Sequence, residues 1–337
     1  MTSVCLVTAD DLYEKLKAIT VDNPLCRYSY ERCKALTPLI NEINQLKAEK
    51  NALILAHTYV HPDIIYGVAD HVGDSYGLAK KARFASADII VFPSVRFMAE
   101  TAKIINPEKI VLDPNPNGGC SLADSITGPQ VHELRKQYPK HTFVCYINTT
   151  AAVKAACDVC VTSSNVYRII ERLPTDLIYF LPDRLMGENI KAQGFNKEIL
   201  TYPGTCYVHE QFDQSTIDLV RNQYKDVVVL AHPECKPEVV KKADMVGSTT
   251  EMHRYVVDHA KEKKPFFLLT ECGVASRLSI EVPEARLVGG CTTCKYMRSN
   301  SLSSIANALK NPIGIEIEPY ILKNARRCIE RMFEYAE

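Results

Sequence analysis

The sequence has no surplus of charge of either sign: 40 Lys plus Arg face 40 Asp plus Glu. That balance excludes a global field drawing the chain to nucleic acid or an anionic membrane, and leaves room only for a local basic pocket. No window comes near eighteen uninterrupted apolar residues, so no membrane-spanning helix is expected. The amino terminus, MTSVCLVTADDLYEKL, has no basic leader and soon turns acidic. A cytoplasmic protein with small-molecule partners, touching neither nucleic acid nor membrane, is the expectation. Nucleotide-cofactor fingerprints are missing as well, with neither GxGxxG nor GxxxxGK present. There is no GxSxG nucleophile elbow.

Cysteine, by contrast, is plentiful, with 13 in 337 residues. They are scattered through a long chain and do not frame a short secreted domain, which suits a reducing compartment. Most are expected to be buried small hydrophobes, and those beside glycines in loops after strands are the ligand candidates. Cys157 and Cys160, in AACDVCV, read as packing residues on a helix end and a strand. Cys26, Cys33 and Cys328 sit in helical patterns without partner spacing.

A pattern recurs three times along the chain. An amphipathic helix leads into a β-rich run that closes on His57 (ALILAHTY), Tyr146 (TFVCYINT) or His232 (VVVLAHPEC), residues 89 and 86 positions apart. A helix and a strand ending in Ser or Thr follow: ARFASADIIVFPS, VKAACDVCVTSS and VVKKADMVGST. Each unit then closes on a cysteine loop, with Cys120, Cys206 and Cys294 in register at separations of 86 and 88. A repeat of that length is a domain used three times and not a solenoid. Alternating helices and β-branched runs predict an α/β protein of three similar α/β/α domains, with short parallel sheets about a pseudo-threefold axis. The expected division is residues 1–130, 131–214 and 215–300 for the three repeats, with 301–337 a helical extension packing back on the body. Ligands of such sheets gather at the carboxyl ends of the strands, where all the aligned residues lie, so one shared site is expected.

The residue types define the chemistry. One cysteine per domain suits a cluster taking a thiolate from each lobe, whereas structural zinc takes four ligands from paired knuckles. Three thiolates leave the fourth iron of a 4Fe-4S cluster open as a Lewis acid, which points to dehydration and not electron transfer. Cys291, in GGCTTCKYM, is supernumerary: it is inert, pairs with Cys294 on oxidation, or replaces it. His232 and Glu234 are two apart, as are His57 with Tyr59 and Tyr146 with Asn148, and on a strand that spacing puts both side chains on one face. His232 and Glu234 suit proton transfer. Ser75, Ser163, Ser248 and Thr249 open helices, where they cap the backbone and where carboxylate or phosphate binds free N–H groups.

These residues bring the chain to a known family. Over about Ala52 to Leu302 it resembles the quinolinate synthases of NadA type, through AHTY, GDS, RFMAETAKIINP, GCSLAD, YINTTAAVKA, TSSN, FLPD, AHPEC, ADMVGST and CKYMRSNSL. The resemblance implies a 4Fe-4S cluster on Cys120, Cys206 and Cys294. It implies condensation of iminoaspartate with dihydroxyacetone phosphate to quinolinate, with loss of phosphate and two waters, early in NAD biosynthesis. It also implies an iminoaspartate-supplying enzyme and iron–sulfur assembly machinery as partners. Carried over by motif, Glu234 is the main acid/base, with His232, Tyr59 and His57 beside it. Ser75, Tyr146, Asn148, Ser163, His209 and Thr249 bind substrate. The chain departs from the family where Tyr207 and Val208 replace the usual Pro-Thr before His209, at Ser94 where glycine is common, and at Thr58. The competing readings are an iron–sulfur or thiol redox sensor switching through Cys291 and Cys294, and a related hydro-lyase for another polyanion.

Overall fold

The computed structural model describes residues 6–19 and 26–337. The strands are β1 (Ala52–His57), β2 (His71–Gly73), β3 (Ile89–Val91), β4 (Ile110–Leu112), β5 (Thr142–Tyr146), β6 (Val159–Val161), β7 (Leu177–Leu181), β8 (Glu198–Thr201), β9 (Val228–Ala231), β10 (Met245–Val246), β11 (Pro265–Leu269) and β12 (Arg286–Val288). They form three four-stranded sheets with one recurring order: β2-β1-β3-β4, β6-β5-β7-β8 and β10-β9-β11-β12. Every pairing within them is parallel, so each connection is a crossover, and helices supply it. The expected architecture of three similar α/β/α units is the observed one.

Short apolar runs become strands here because both faces of each sheet are covered. The third sheet shows this by its period of two. Val229, Ala231, Phe267 and Leu269 pack on one side against Ile217, Val220 and Val239. Leu230, Phe266 and Leu268 pack on the other against Met252, Val256, Val274 and Leu278. The last helix, Pro319–Ala336, buries Ala325, Cys328, Ile329, Met332, Phe333 and Ala336, a stripe at helical spacing. It lies on the helix Ala151–Ala155 and on β6, and Arg168 and Arg172 hold its end by donating to the carbonyls of Ala336 and Tyr335 at 2.7 and 2.9 Å. No helix among the described residues is long and apolar enough to cross a membrane.

The repeat differs from the sequence reading in one place. By sequence, ARFASADIIVFPS aligns with the second strands of the later units, but its strand, β3, occupies the position of β7 and β11. The true counterpart of β6 and β10 is β2, HVG, which is three residues long and half-buried. β2 lacks the apolar run that marks β3, so periodicity passes over it.

The first and third units touch where the turn after β1 meets the helix Gly273–Glu281. A β-carbon on Gly273 would lie 2.8 Å from Tyr59 Cα and press on the Thr58 carbonyl oxygen. Only glycine allows that approach. Gly273→Ala is therefore expected to cost about 1–3 kcal/mol through overpacking, read as a lower urea midpoint at unchanged m-value, whereas an unshifted midpoint would show that the contact yields freely.

Candidate active site

One pocket collects residues from the carboxyl ends of all three sheets. It is lined by His57, Tyr59 and Ser75 from the first unit, Tyr146, Asn148 and Ser163 from the second, and His232, Glu234 and Thr249 from the third. Cys120, Cys206, His209 and Cys294, from the loops that close each unit, complete it. The thirteen residues that the resemblance assigns to the site thus all line the same cavity. Its other walls include Val95, Phe97 and Met297.

Glu234 is the hub. It is only 3 % exposed, and a carboxylate that deep must be hydrogen-bonded. Tyr146 donates its hydroxyl to Oε1 at 2.6 Å, and His209 Nδ1 meets Oε2 at 3.0 Å. Burial pushes the Glu234 carboxyl up, but His209 and His232, with the bonds from His209 and Tyr146, outweigh it and hold Glu234 below its ordinary value. It stands ionised. His209 Nδ1 donates to that carboxylate, and its Nε2 lies 3.0 Å from Thr270 Oγ1. Thr270 Oγ1 in turn lies 2.7 Å from the Tyr59 hydroxyl. Tyr59, Thr270, His209 and Glu234 form one hydrogen-bonded chain across the three units.

His57 and His232 are kept neutral. Burial drives His57 down to about 4, against the opposing pull of Asp74 and Glu234, and burial with the neighbouring His209 drives His232 to about 3. His232 stacks on His209 with ring centroids 4.5 Å apart. The two-residue spacing works differently from the strand alternation expected. β1 ends at His57 and β9 at Ala231, and Tyr59 and Glu234 lie in the turns beyond. In both turns the histidine Nδ1 accepts the backbone N–H two residues on, from Tyr59 at 3.2 Å and Glu234 at 3.4 Å. That bond fixes the turn and aims the ring nitrogen Nε2 away from it.

The helix openings also differ in detail. The caps are Asp74, which accepts from Gly77 N, and Ser248, which forms a capping box with Glu251. Asn165 stands at the cap position of Val166–Arg172, two residues after Ser163. Ser75 and Thr249 are the first helical residues, free of capping duty. Thr249 Oγ1 is buried without a hydrogen-bond partner, a polar atom at the pocket wall that a bound ligand can satisfy.

Cys120, Cys206 and Cys294 come one from each unit. Burial raises all three thiols, Cys120 to about 12 and Cys206 well above its ordinary value. Such thiols ionise only for a cation, whose binding expels the protons. Cys206 has its sulfur within 4.8 Å of ligand atoms of His209 and Glu234, but no such close group among the described residues joins Cys120, Cys206 and Cys294. The trio is therefore too open for a single ion and suits a larger, polynuclear group, as the soft, all-thiol donor set also does.

Cys291 takes none of the fates expected for it beside Cys294. It is joined to Cys272, and Cys26, expected in a helix without partners, lies beside that pair. Cys328 also has a neighbour, with its sulfur 3.6 Å from that of Cys145. Sequence reasoning missed Thr270, Asp74 and the buried pair of Glu271 with Arg298, 3.1 Å apart, whose carboxylate also accepts from Cys294 N. Thr270 and Glu271 follow β11 directly in FLLTECG. Their place at a strand end is the signal that could have found them, although the ends of the third strands carry no conspicuous repeat.

The family model described as quinolinate synthetase A protein matches residues 41–334. Quinolinate synthase 2 of Mesorhizobium japonicum is 43% identical over 320 residues, which is 92% of this chain and 98% of that protein. Quinolinate synthase of Xylella fastidiosa is 44% identical over 294 residues, 87% of this chain and 86% of its own length. That of Agrobacterium fabrum is 44% identical over 296 residues, 88% and 85%.

The buried histidines make stability depend on pH. A histidine held near 4 in the fold and at about 6.5 when unfolded binds its proton more readily unfolded, so stability rises with pH between those values. His57 and His232 thus contribute fully above pH ~6.5 and lose their contribution as pH falls towards 4, each tenfold difference in proton affinity being worth about 1.4 kcal/mol. The urea midpoint should fall steeply over that window, and less steeply in His57→Gln. Equal slopes in both proteins would show that His57 is not held neutral.

Proposed function

The chain belongs to the quinolinate synthetase A protein family, and we propose that it condenses iminoaspartate with dihydroxyacetone phosphate to quinolinate, losing phosphate and two waters. The observation that carries the reading is an ionised, hydrogen-bonded Glu234 on the same pocket as three cysteines from three units. We assign Cys120, Cys206 and Cys294 as the residues that would hold a 4Fe-4S cluster, which would supply Lewis-acid chemistry at the pocket.

The chain's own residues supply binding and proton transfer. Ser75 and Thr249, at helix openings, and Ser163, Tyr146 and Asn148 hold the anionic groups of the substrates, with the free first-turn N–H groups and the unpartnered Thr249 hydroxyl as donors. Glu234 is the acid/base, with His232, His57 and Tyr59 beside it. Its low proton affinity rests on Tyr146 and His209, so substrate that draws either donor away raises the basicity of the carboxylate when it is needed.

The same reading makes this a cytoplasmic enzyme of NAD biosynthesis. It depends on an iminoaspartate-supplying enzyme and on iron–sulfur assembly machinery, and its repeats divide at residues 1–130, 131–214 and 215–300, with 301–337 as an extension.

The test is anaerobic reconstitution with iron and sulfide, followed by both substrates and a chromatographic assay for quinolinate. Wild type should form product. Glu234→Gln should keep the cluster absorbance and lose about 10²-fold or more in turnover, the usual worth of a general acid or base. Full turnover in that variant would remove Glu234 from the chemistry, and a cluster-bearing wild type that makes no quinolinate would overturn the assigned reaction.

A further inference from the structure

Away from the pocket, three thiols from distant parts of the sequence meet. The sulfurs of Cys26, Cys272 and Cys291 lie within 4.8 Å of one another. Cys272 and Cys291 are joined as a disulfide, with their Cα atoms 5.1 Å apart. The three differ in access. Cys26 is fully buried, whereas Cys291 is half-buried. Cys272 lines a second cavity, with Thr270, Glu271, Gly289 and Gly290, at the carboxyl ends of β11 and β12. That cavity opens on Cys272 and Cys291 keeps some exposure of its own, whereas Cys26 has none. Arg298 Nη2 stands 3.9 Å from the Cys272 sulfur, so a thiolate left on Cys272 has a cation beside it.

We propose that Cys26, Cys272 and Cys291 form a thiol–disulfide exchange site in which Cys26 is the resolving thiol. A small thiolate attacks the Cys291 sulfur, the bond to Cys272 breaks, and its electron pair leaves on Cys272 next to Arg298. Cys26 passes its proton to that thiolate and attacks Cys291, expelling the small thiol unchanged. The result is a Cys26–Cys291 disulfide and a Cys272 thiol, with no net oxidation. A dithiol carries the exchange further, since its second sulfur displaces Cys291, leaving three protein thiols and the cyclic disulfide of the reductant.

The site has a consequence for the pocket. Cys291 opens the loop that ends at Cys294, which is fastened by the N–H of Cys272 donating to Thr292 O at 2.9 Å and by Glu271 accepting from Cys294 N at 3.3 Å. Exchange moves the tether of that loop from the end of β11 to the segment holding Cys26. The thiol state of the protein is thereby coupled to the placement of a pocket cysteine. None of this depends on the reaction assigned to the pocket.

The experiment is disulfide mapping of the full chain, purified without reductant, incubated anaerobically with glutathione, quenched in acid, alkylated and digested for mass spectrometry. Before glutathione, the Cys272–Cys291 link should be present and Cys26 alkylated. Afterwards a Cys26–Cys291 link should appear with Cys272 alkylated. In Cys26→Ser that link is lost and the glutathione adduct on Cys291 accumulates in its place. Wild-type protein in which Cys26 stays alkylated throughout while the adduct accumulates on Cys291 would overturn the proposal. So would zinc that copurifies with wild type and is lost from Cys26→Ser, which would make the trio a metal site.

Discussion

Burying one carboxylate at the meeting point of three domains is the constraint on which the rest of the site depends. Glu234 cannot remain charged at that depth without donors, and those donors come from elsewhere in the chain, Tyr146 from the end of β5 and His209 from the loop that closes the second unit. Satisfying it fixes the second and third units against each other. Tyr59 and Thr270 extend the same network to the first unit. The carboxylate proposed as the acid/base is also the structural joint, so substitutions here bear on assembly as well as on the proposed chemistry.

Parallel sheets account for why so much converges. Each unit ends all four of its strands on one side, and each strand end offers one or two residues with free polar groups. Repeated three times, this supplies histidine or tyrosine after the first strand, a helix opening after the second, and cysteine after the fourth. The third-strand ends do supporting work. Glu271, at such an end, holds both Arg298 and the backbone of Cys294, and it keeps the cysteine loop where the pocket needs it.

Much of this was legible in the sequence because residues repeated at a domain's spacing. His57, Tyr146 and His232 close first strands, and Cys120, Cys206 and Cys294 follow fourth strands, so register alone brought them together. What was not legible had no periodic signal. β2 is too short and too exposed to read as a strand. Thr270 takes part only because His209 and Tyr59 arrive on either side of it, a fact of tertiary packing. The turns at Tyr59 and Glu234 rest on a hydrogen bond to a histidine ring, which spacing cannot separate from strand alternation. The nearness of Cys26 to Cys272 and Cys291 needs the path of the whole chain.

The central claim is that the three cysteines, one from each unit, jointly hold one iron–sulfur cluster at this pocket. The direct measurement is the iron content and Mössbauer spectrum of anaerobically reconstituted protein, wild type beside Cys120→Ser, Cys206→Ser and Cys294→Ser. The account predicts roughly four irons per chain in wild type, one of them shifted by a substrate analogue, and loss or marked lability of the cluster in each variant. A stable cluster of unchanged spectrum in any one of the three variants would contradict it.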